Sequence, residues 1–251
     1  MKNTKALNIF DFTQDGLTEF LGEHGFSKFV AAQIFDWLYN KKIVEVEKWT
    51  NVSKKCKEFL AENVEFYLPE VIWHAESKDG TRKFLVRLKD QQTVETVVIP
   101  AKNKRLTQCI SSQVGCAIGC TFCHTGTQGF KRHLTVGEIT GQFLSISIWL
   151  RNNVEEEQRL TNIVYMGQGE PLHNYENVKN ATINFLNDRA FGLGQRKITL
   201  STSGLVPKIK MLGDFPPVNI AISLHSAIDD NRTELMPINK VYDLQRLFGA
   251  I

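Results

Sequence analysis

The sequence predicts an α/β protein: a partial (β/α) barrel, incomplete at the C-terminus, preceded by a small helical N-terminal domain and a short β-sheet. Three observations predict it. Apolar residues recur at helical spacing up to about residue 66. β-prone runs with a hairpin signal follow between Pro69 and Pro100. From Leu106 onward, strands and helices alternate. The chain then divides into a helical accessory domain (1–66), a small β-sheet linker region (67–105) and the partial barrel (106–251).

In the first part, Ser27 is placed to cap a helix carrying Val30, Ala31, Ile34, Phe35 and Leu38 on one face, and a second helix is expected over Val52–Asn63. Strands are expected at Val71–His74, Lys83–Leu88 and Thr93–Ile99, with Asp79-Gly80 as the hairpin turn between the first two. The barrel strands are read at Thr107–Val114, Thr161–Met166, Lys197–Thr202 and Val218–Leu224. Helices are read at Val136–Leu150, Tyr175–Asn187 and Val206–Leu212, and Thr135 with Glu138 forms a capping box. Val241–Ile251 reads as an amphipathic helix with Leu244, Leu247 and Phe248 on one face, and no strand follows it.

Composition excludes little but narrows the setting. With 42% hydrophobic and 23% charged residues the chain matches ordinary globular proteins. No window approaches the ~18 consecutive apolar residues of a spanning helix. The basic start, Met1 to Lys5, is not followed by an apolar signal core, so a cytoplasmic protein with no membrane association is expected. Between Pro100 and Gly137 there is no acidic residue, while Lys102, Lys104, Arg105, Lys131 and Arg132 all fall there. Such a stretch reads either as a surface for an anionic partner such as RNA or as a solvated loop face.

Of the five cysteines, Cys109, Cys116, Cys120 and Cys123 lie close together and Cys56 lies apart. An odd count in a chain of this kind argues against a disulfide framework and for ligands to one centre. Cys116-Ala117-Ile118-Gly119-Cys120-Thr121-Phe122-Cys123 follows the first barrel strand. Three thiolates at this spacing on a Gly-containing loop can reach three irons of a 4Fe–4S cubane. The fourth iron stays open for the amine and carboxylate of S-adenosylmethionine, whose cleavage yields a carbon radical. Zinc is the competing reading, with Cys109 or His124 as fourth ligand, although His124 adjoins Cys123 and converges poorly on the same ion.

A second signal is the run Val164 to Leu172, a strand entering the turn Gly167-Gln168-Gly169-Glu170-Pro171. Glu170 can accept from the amino group of a bound amino acid; the plain alternative is an ordinary βα loop. Ser201 to Gly204 and Ser223 to Ser226 end the next two strands, so their hydroxyls and the His225 imidazole are expected at the same mouth.

These motifs resemble those of the RlmN/Cfr family of radical S-adenosylmethionine RNA methyltransferases, with the RlmN branch the nearer. The resemblance is carried by the serine-containing run Gln108–Cys116, the three-cysteine motif, Gly129-Phe130, Met166–Leu172 and Leu200–Gly204. It implies that Cys116, Cys120 and Cys123 hold the 4Fe–4S cluster. It implies that Gly169, Glu170, Ser201, Ser223, Leu224 and His225 line the S-adenosylmethionine site. Glu95 is implied as a proton-accepting base and Cys109 as the cysteine of a transient disulfide that releases product; their plain alternatives are an exposed strand glutamate and a buried strand thiol.

The implied reaction methylates carbon 2 of adenine in 23S ribosomal RNA and certain transfer RNAs, through a methyl group first carried on a cysteine near the C-terminus. The implied partners are those RNAs and an electron donor such as flavodoxin, with the enzyme a monomer. The sequence departs from the pattern in one serious respect: no cysteine follows Cys123, so the methyl-carrying residue is absent. Cys56 lies in the helical region and is a poor replacement. Gln168 and His124 also differ from the family's usual residues. A C-terminally truncated methyltransferase is therefore the first expectation. The alternatives are a non-catalytic relative that retains cluster or RNA binding, and a radical enzyme with a different substrate.

Overall fold

The computed structural model describes residues 7–101, 105–155 and 158–251. The basic start and the Lys102 and Lys104 expectations lie outside the described residues.

The helical part is closed by a short parallel pair. Strand β1 (Leu7–Asn8) precedes helices α1 (Gln14–Glu23), α2 (Phe29–Phe35) and α3 (Lys54–Asn63), and β2 (Val64–Glu65) pairs back onto β1. Thr13 caps α1 and Ser53 caps α3 through their side chains. Ser27 is a weaker anchor than expected: the cap position of α2 is Lys28, and the Ser27 hydroxyl accepts from the Phe29 N–H only at 3.5 Å. Phe10, Phe35, Tyr39 and Trp49 form a buried aromatic core here.

Strands β3 (Glu70–Glu76), β4 (Arg82–Arg87) and β5 (Thr93–Pro100) run antiparallel, and β5 pairs antiparallel with β6 (Arg105–Cys109). A hairpin of β7 (Gln113–Gly115) and β8 (Phe130–His133) encloses α4 (His124–Thr127). Helix α5 (Val136–Asn153) leads to β9 (Arg159–Tyr165), α6 (Tyr175–Leu186), β10 (Ile198–Thr202), α7 (Val206–Ile209) and β11 (Asn219–Ile222). Helices α8 (Asp229–Leu235) and α9 (Leu244–Phe248) follow. The Thr135–Glu138 capping box is present at the start of α5.

One seven-stranded sheet runs in the order β11-β10-β9-β6-β5-β4-β3, with β6, β9, β10 and β11 parallel. The small sheet read over 67–105 forms, and it joins the barrel sheet. Its strands extend the barrel sheet through ladder bonds between β5 and β6. The strand expected over Thr107–Val114 breaks after Cys109. Ser112 and Gln113 direct their N–H groups to the Gln168 carbonyl (2.8 and 3.2 Å), so the chain leaves the ladder. Helix α8 escaped the sequence reading because Asp229-Asp230-Asn231-Arg232-Thr233-Glu234-Leu235 carries no apolar stripe.

Residues alternate across the sheet. Val94, Val98, Leu106, Ile163, Ile198 and Leu200 face the core covered by α5 and α6. Their neighbours Glu95, Val97, Cys109, Val164, Thr199 and Ser201 lie on the opposite face and are only partly buried.

Candidate functional site

The parallel strands end at one rim, and the chain places its unusual loops there. Immediately after β7, Gly115 holds φ +74°, and a Cβ at this position would collide with the Gly129 carbonyl. Only glycine lets the backbone fold so closely against the end of its own loop, and the Cys116 N–H then bonds that carbonyl at 3.1 Å. The loop is pinned at its far side too, because the Thr121 N–H donates to the Leu235 carbonyl at the end of α8 (3.0 Å).

A cavity of about 530 Å³ opens at this rim. Cys116, Cys120 and Cys123 line one side. Gly169, Glu170, Ser201, Ser223, Leu224 and His225 line the other. The size lies within the range of small-molecule and cofactor pockets. All nine residues read from the sequence as cluster or cofactor contacts thus meet at one cavity. Glu95 and Cys109 do not line it. They sit on the open face of the sheet beside it, Cys109 opposite Val97 and so two residues along from Glu95.

The cysteines are all free thiols. Burial raises the Cys116 and Cys120 pKa, Cys120 to about 11, and the charges of neighbouring thiolates raise both further. Two neighbouring thiols raised in this way ionise together readily only when a cationic metal group accepts them. Among the described residues, no three His, Cys, Asp or Glu side chains converge as donors to a single ion. Neither Cys109 nor His124 lines the cavity. This donor set fits a three-thiolate cubane, whose irons hold the sulfurs apart; of the other donors lining the cavity, Glu170 is already engaged by Leu172 and Ser203 and the His225 ring packs against Phe122.

Glu170 is buried, with 3% of its surface exposed. Its carboxylate accepts from the Leu172 N–H (3.0 Å), the Ser203 N–H (2.7 Å) and the Ser203 hydroxyl (2.7 Å). A carboxylate has about four lone-pair sites, so one remains for a further donor. Gly169, at φ +97°, lets this turn lie against Gln113, whose side chain a Cβ would meet at 2.5 Å. The Gln113 amide oxygen accepts from the Glu170 N–H (2.8 Å), and its nitrogen bonds Nδ1 of both His133 (3.0 Å) and His173 (3.1 Å). Across the cavity the Ser201 and Ser223 hydroxyls lie 3.3 Å apart. His225 adopts φ +60° and its ring lies 4.4 Å from that of Phe122.

Glu95 is half exposed and paired with Lys83 at 3.0 Å. Burial pushes the Cys109 thiol up to about 11, opposed by the Met166 N–H. Cys56, distant in the helical core, is likewise raised to about 11 by burial. The expected basic surface is smaller than its sequence count, because Arg132 is tied to Asp90 and Glu138. Sequence reasoning gave no role to Gln113, Met166 or Met236, and it expected the Ser203 hydroxyl at the mouth without its bond to Glu170. Nothing local marks Met236.

Residues 7–66 match the family described as the ribosomal RNA large subunit methyltransferase N-terminal domain, and residues 110–251 match the radical SAM superfamily. A probable dual-specificity RNA methyltransferase RlmN of Akkermansia muciniphila is 43% identical over 247 residues, covering 95% of this chain and 67% of that protein. The dual-specificity RNA methyltransferase RlmN of Magnetococcus marinus is 44% identical over 249 residues, covering 99% and 69%. That of Marinobacter nauticus is 40% identical over 251 residues, covering 98% and 66%. The chain thus spans about two thirds of the length of these curated relatives. A crystal structure of a radical SAM methyltransferase from Sphaerobacter thermophilus superposes with a TM-score of 0.87 at 37% identity, covering 97% of this chain and 71% of that one.

Proposed function

The chain belongs to the RlmN family of radical S-adenosylmethionine RNA methyltransferases, and from that premise we propose that it carries a 4Fe–4S cluster on Cys116, Cys120 and Cys123 and binds S-adenosylmethionine beside it. The reaction served is methylation of adenine carbon 2 in 23S ribosomal RNA and certain transfer RNAs. The single observation that carries this reading is the meeting of the three cysteines and the six strand-end residues at one cavity of about 530 Å³. No helix among the described residues is long and apolar enough to cross a membrane. We assign the protein to the cytoplasm, as a monomer reduced by a flavodoxin-type donor.

When bound, the cluster supplies the electron that cleaves S-adenosylmethionine to a carbon radical. The chain's own residues position and protect. Glu170 offers its remaining lone pair to the amino group while Ser203 and Leu172 hold the carboxylate still. The Ser201 and Ser223 hydroxyls meet the ribose or amino-acid portion. The carboxylate of Glu95, on the neighbouring open face, accepts the ring proton of the substrate base. Lys83 pairs with it at 3.0 Å. In the family route Cys109, as a thiolate, would attack the sulfur of the methyl-carrying cysteine, forming a disulfide. The bond from that sulfur to the added carbon breaks, and the carbon, leaving with the electron pair, takes up a proton to become the methyl group. The raised Cys109 pKa means a base would assist.

None of the residues after Cys123 is cysteine, so the methyl-carrying thiol of the family route is not supplied by this stretch. Anaerobic reconstitution with iron and sulfide tests the first half. One brown cubane per chain is expected, with complete loss in Cys116→Ala, Cys120→Ala or Cys123→Ala but not in Cys56→Ala or Cys109→Ala. Tight zinc binding without iron uptake would sink the cluster. Incubation of the 251-residue polypeptide with unmodified ribosomal RNA, reductant and methyl-labelled S-adenosylmethionine tests the second half. No label in adenine is expected, because covalent catalysis needs its nucleophile.

A further inference from the structure

Arg232 is the largest charged side chain in the interior, with 0% of its surface exposed. Its Nη2 donates to the Ser203 carbonyl (2.6 Å), its Nε to the Leu224 carbonyl (3.2 Å) and its Nη1 to the Asn239 side-chain oxygen (2.5 Å). All three partners are neutral. No carboxylate lies within ion-pair distance of it among the described residues; the Asp229 carboxylate instead accepts from the Leu244 N–H (3.0 Å) and from Asn239 (2.9 Å). Burying an unpaired cation is costly unless another charge compensates it.

The place of this cation identifies the compensating charge. Ser203 and Leu224 belong to the two strand-end loops that wall the cavity. Helix α8, which carries Arg232, ends at Leu235, whose carbonyl accepts from Thr121 between Cys120 and Cys123. The guanidinium therefore stands behind the pocket wall, and its helix touches the cysteine loop directly. Burial lowers its pKa, opposed first by the charge of Asp229 and then by Cys120. A doubly positive cubane held by three thiolates carries one net negative charge, and its one-electron reduced form carries two.

We propose that Arg232 is the buried counter-charge of the iron–sulfur site, a positioning residue whose positive charge favours the reduced cluster while its fork ties the two cavity loops together. This rests on the cluster assignment above. Attraction between the cation and the cluster grows when an electron arrives, so reduction becomes easier. Asn239 is the neutral acceptor that leaves the charge uncancelled; an aspartate there would pair with Arg232 and remove the effect.

The test separates charge from shape. Clusters are reconstituted anaerobically in the full chain and in Arg232→Gln, Arg232→Lys and Asn239→Asp, the last made together with Asp229→Asn so that the contact between the two positions stays an amide–carboxylate pair and the net charge is unchanged. Iron and sulfide content is measured first, then each protein is titrated with dithionite and redox dyes, following the paramagnetic reduced cluster. Arg232→Gln and Asn239→Asp should each shift the one-electron equilibrium toward the oxidised state by tenfold or more, which corresponds to 59 mV. Arg232→Lys should shift it less than threefold. An unchanged potential in Asn239→Asp overturns the proposal, as does a Lys variant that shifts as far as Gln. Should Arg232→Gln fail to fold, Asn239→Asp decides alone, because it leaves the guanidinium and its carbonyl partners in place. No cluster in the unaltered chain overturns the cluster assignment and this proposal together. A normal cluster with unmoved potentials overturns only this one.

Discussion

The two faces of the seven-stranded sheet are built from alternate residues of the same strands, yet they do opposite work. On the covered face Leu200, Ile198, Ile163 and Val98 are fully buried against α5 and α6. Polar groups there are mostly paired internally: Gln108 donates to Thr96 and to the Gln142 carbonyl, although its own side-chain oxygen has no partner among the described residues. On the other face Ser201, Cys109 and Glu95 remain partly open. One face holds the fold through apolar burial, and the other presents groups whose stability contribution is small and whose chemistry is accessible. Residues adjacent in sequence can therefore differ completely in what their loss does.

The sharpest way to break that contrast uses neighbours on β10. Leu200→Ala should cost about 2–5 kcal/mol in denaturant unfolding, since it removes a fully buried side chain from the covered face. Ser201→Ala should change stability by about 0.5 kcal/mol or less and weaken S-adenosylmethionine binding to the reconstituted protein. Equal destabilisation by the two would show that the open face is structural as well.

A smaller effect is expected at Glu170, where the two roles overlap. Glu170→Ala removes the acceptor of Ser203 and Leu172, so it should destabilise by about 1–3 kcal/mol. It should also weaken S-adenosylmethionine binding at least tenfold, about 1.4 kcal/mol, at unchanged iron content. Unaltered affinity would make this turn a brace and nothing more.

The smallest effect concerns His133, which shares the Gln113 amide with His173. Burial, followed by the charge of His173, holds the His133 pKa below its ordinary 6.5. The unfolded chain then binds more protons than the folded one between the two values, so stability rises with pH there. Its contribution is present above 6.5 and is lost as pH falls through 6.5 toward the folded value. His133→Asn should flatten that part of a stability–pH curve measured by chemical unfolding, and an unchanged slope would place the titration elsewhere.

The three-cysteine loop, the Gly169-Glu170 turn and the strand-end serines were legible in the sequence because each is local. A ligand spacing, a glycine that permits a close turn and an alternation of strand with helix are all contained in short windows. Their meeting at one rim follows from parallel strands ending on the same side. The capping box of α5 was legible for the same reason.

What only the tertiary structure decided involves partners far apart in the chain. Gln113 reaches Glu170, Glu170 reaches Ser203, and Ser203 reaches Arg232. No spacing rule links those four positions. The extension of the barrel sheet by β3, β4 and β5 was hidden too, since β-prone runs show that strands form and not which edge they join. Arg132 reads as part of a basic surface until Asp90 and Glu138 fold onto it, and nothing in the polar segment around Arg232 marks that residue as buried. By itself the sequence determined the chemistry each loop can offer, because that resides in residue type and local spacing. Burial and charge pairing are properties of the surroundings, and only the folded chain assembles those.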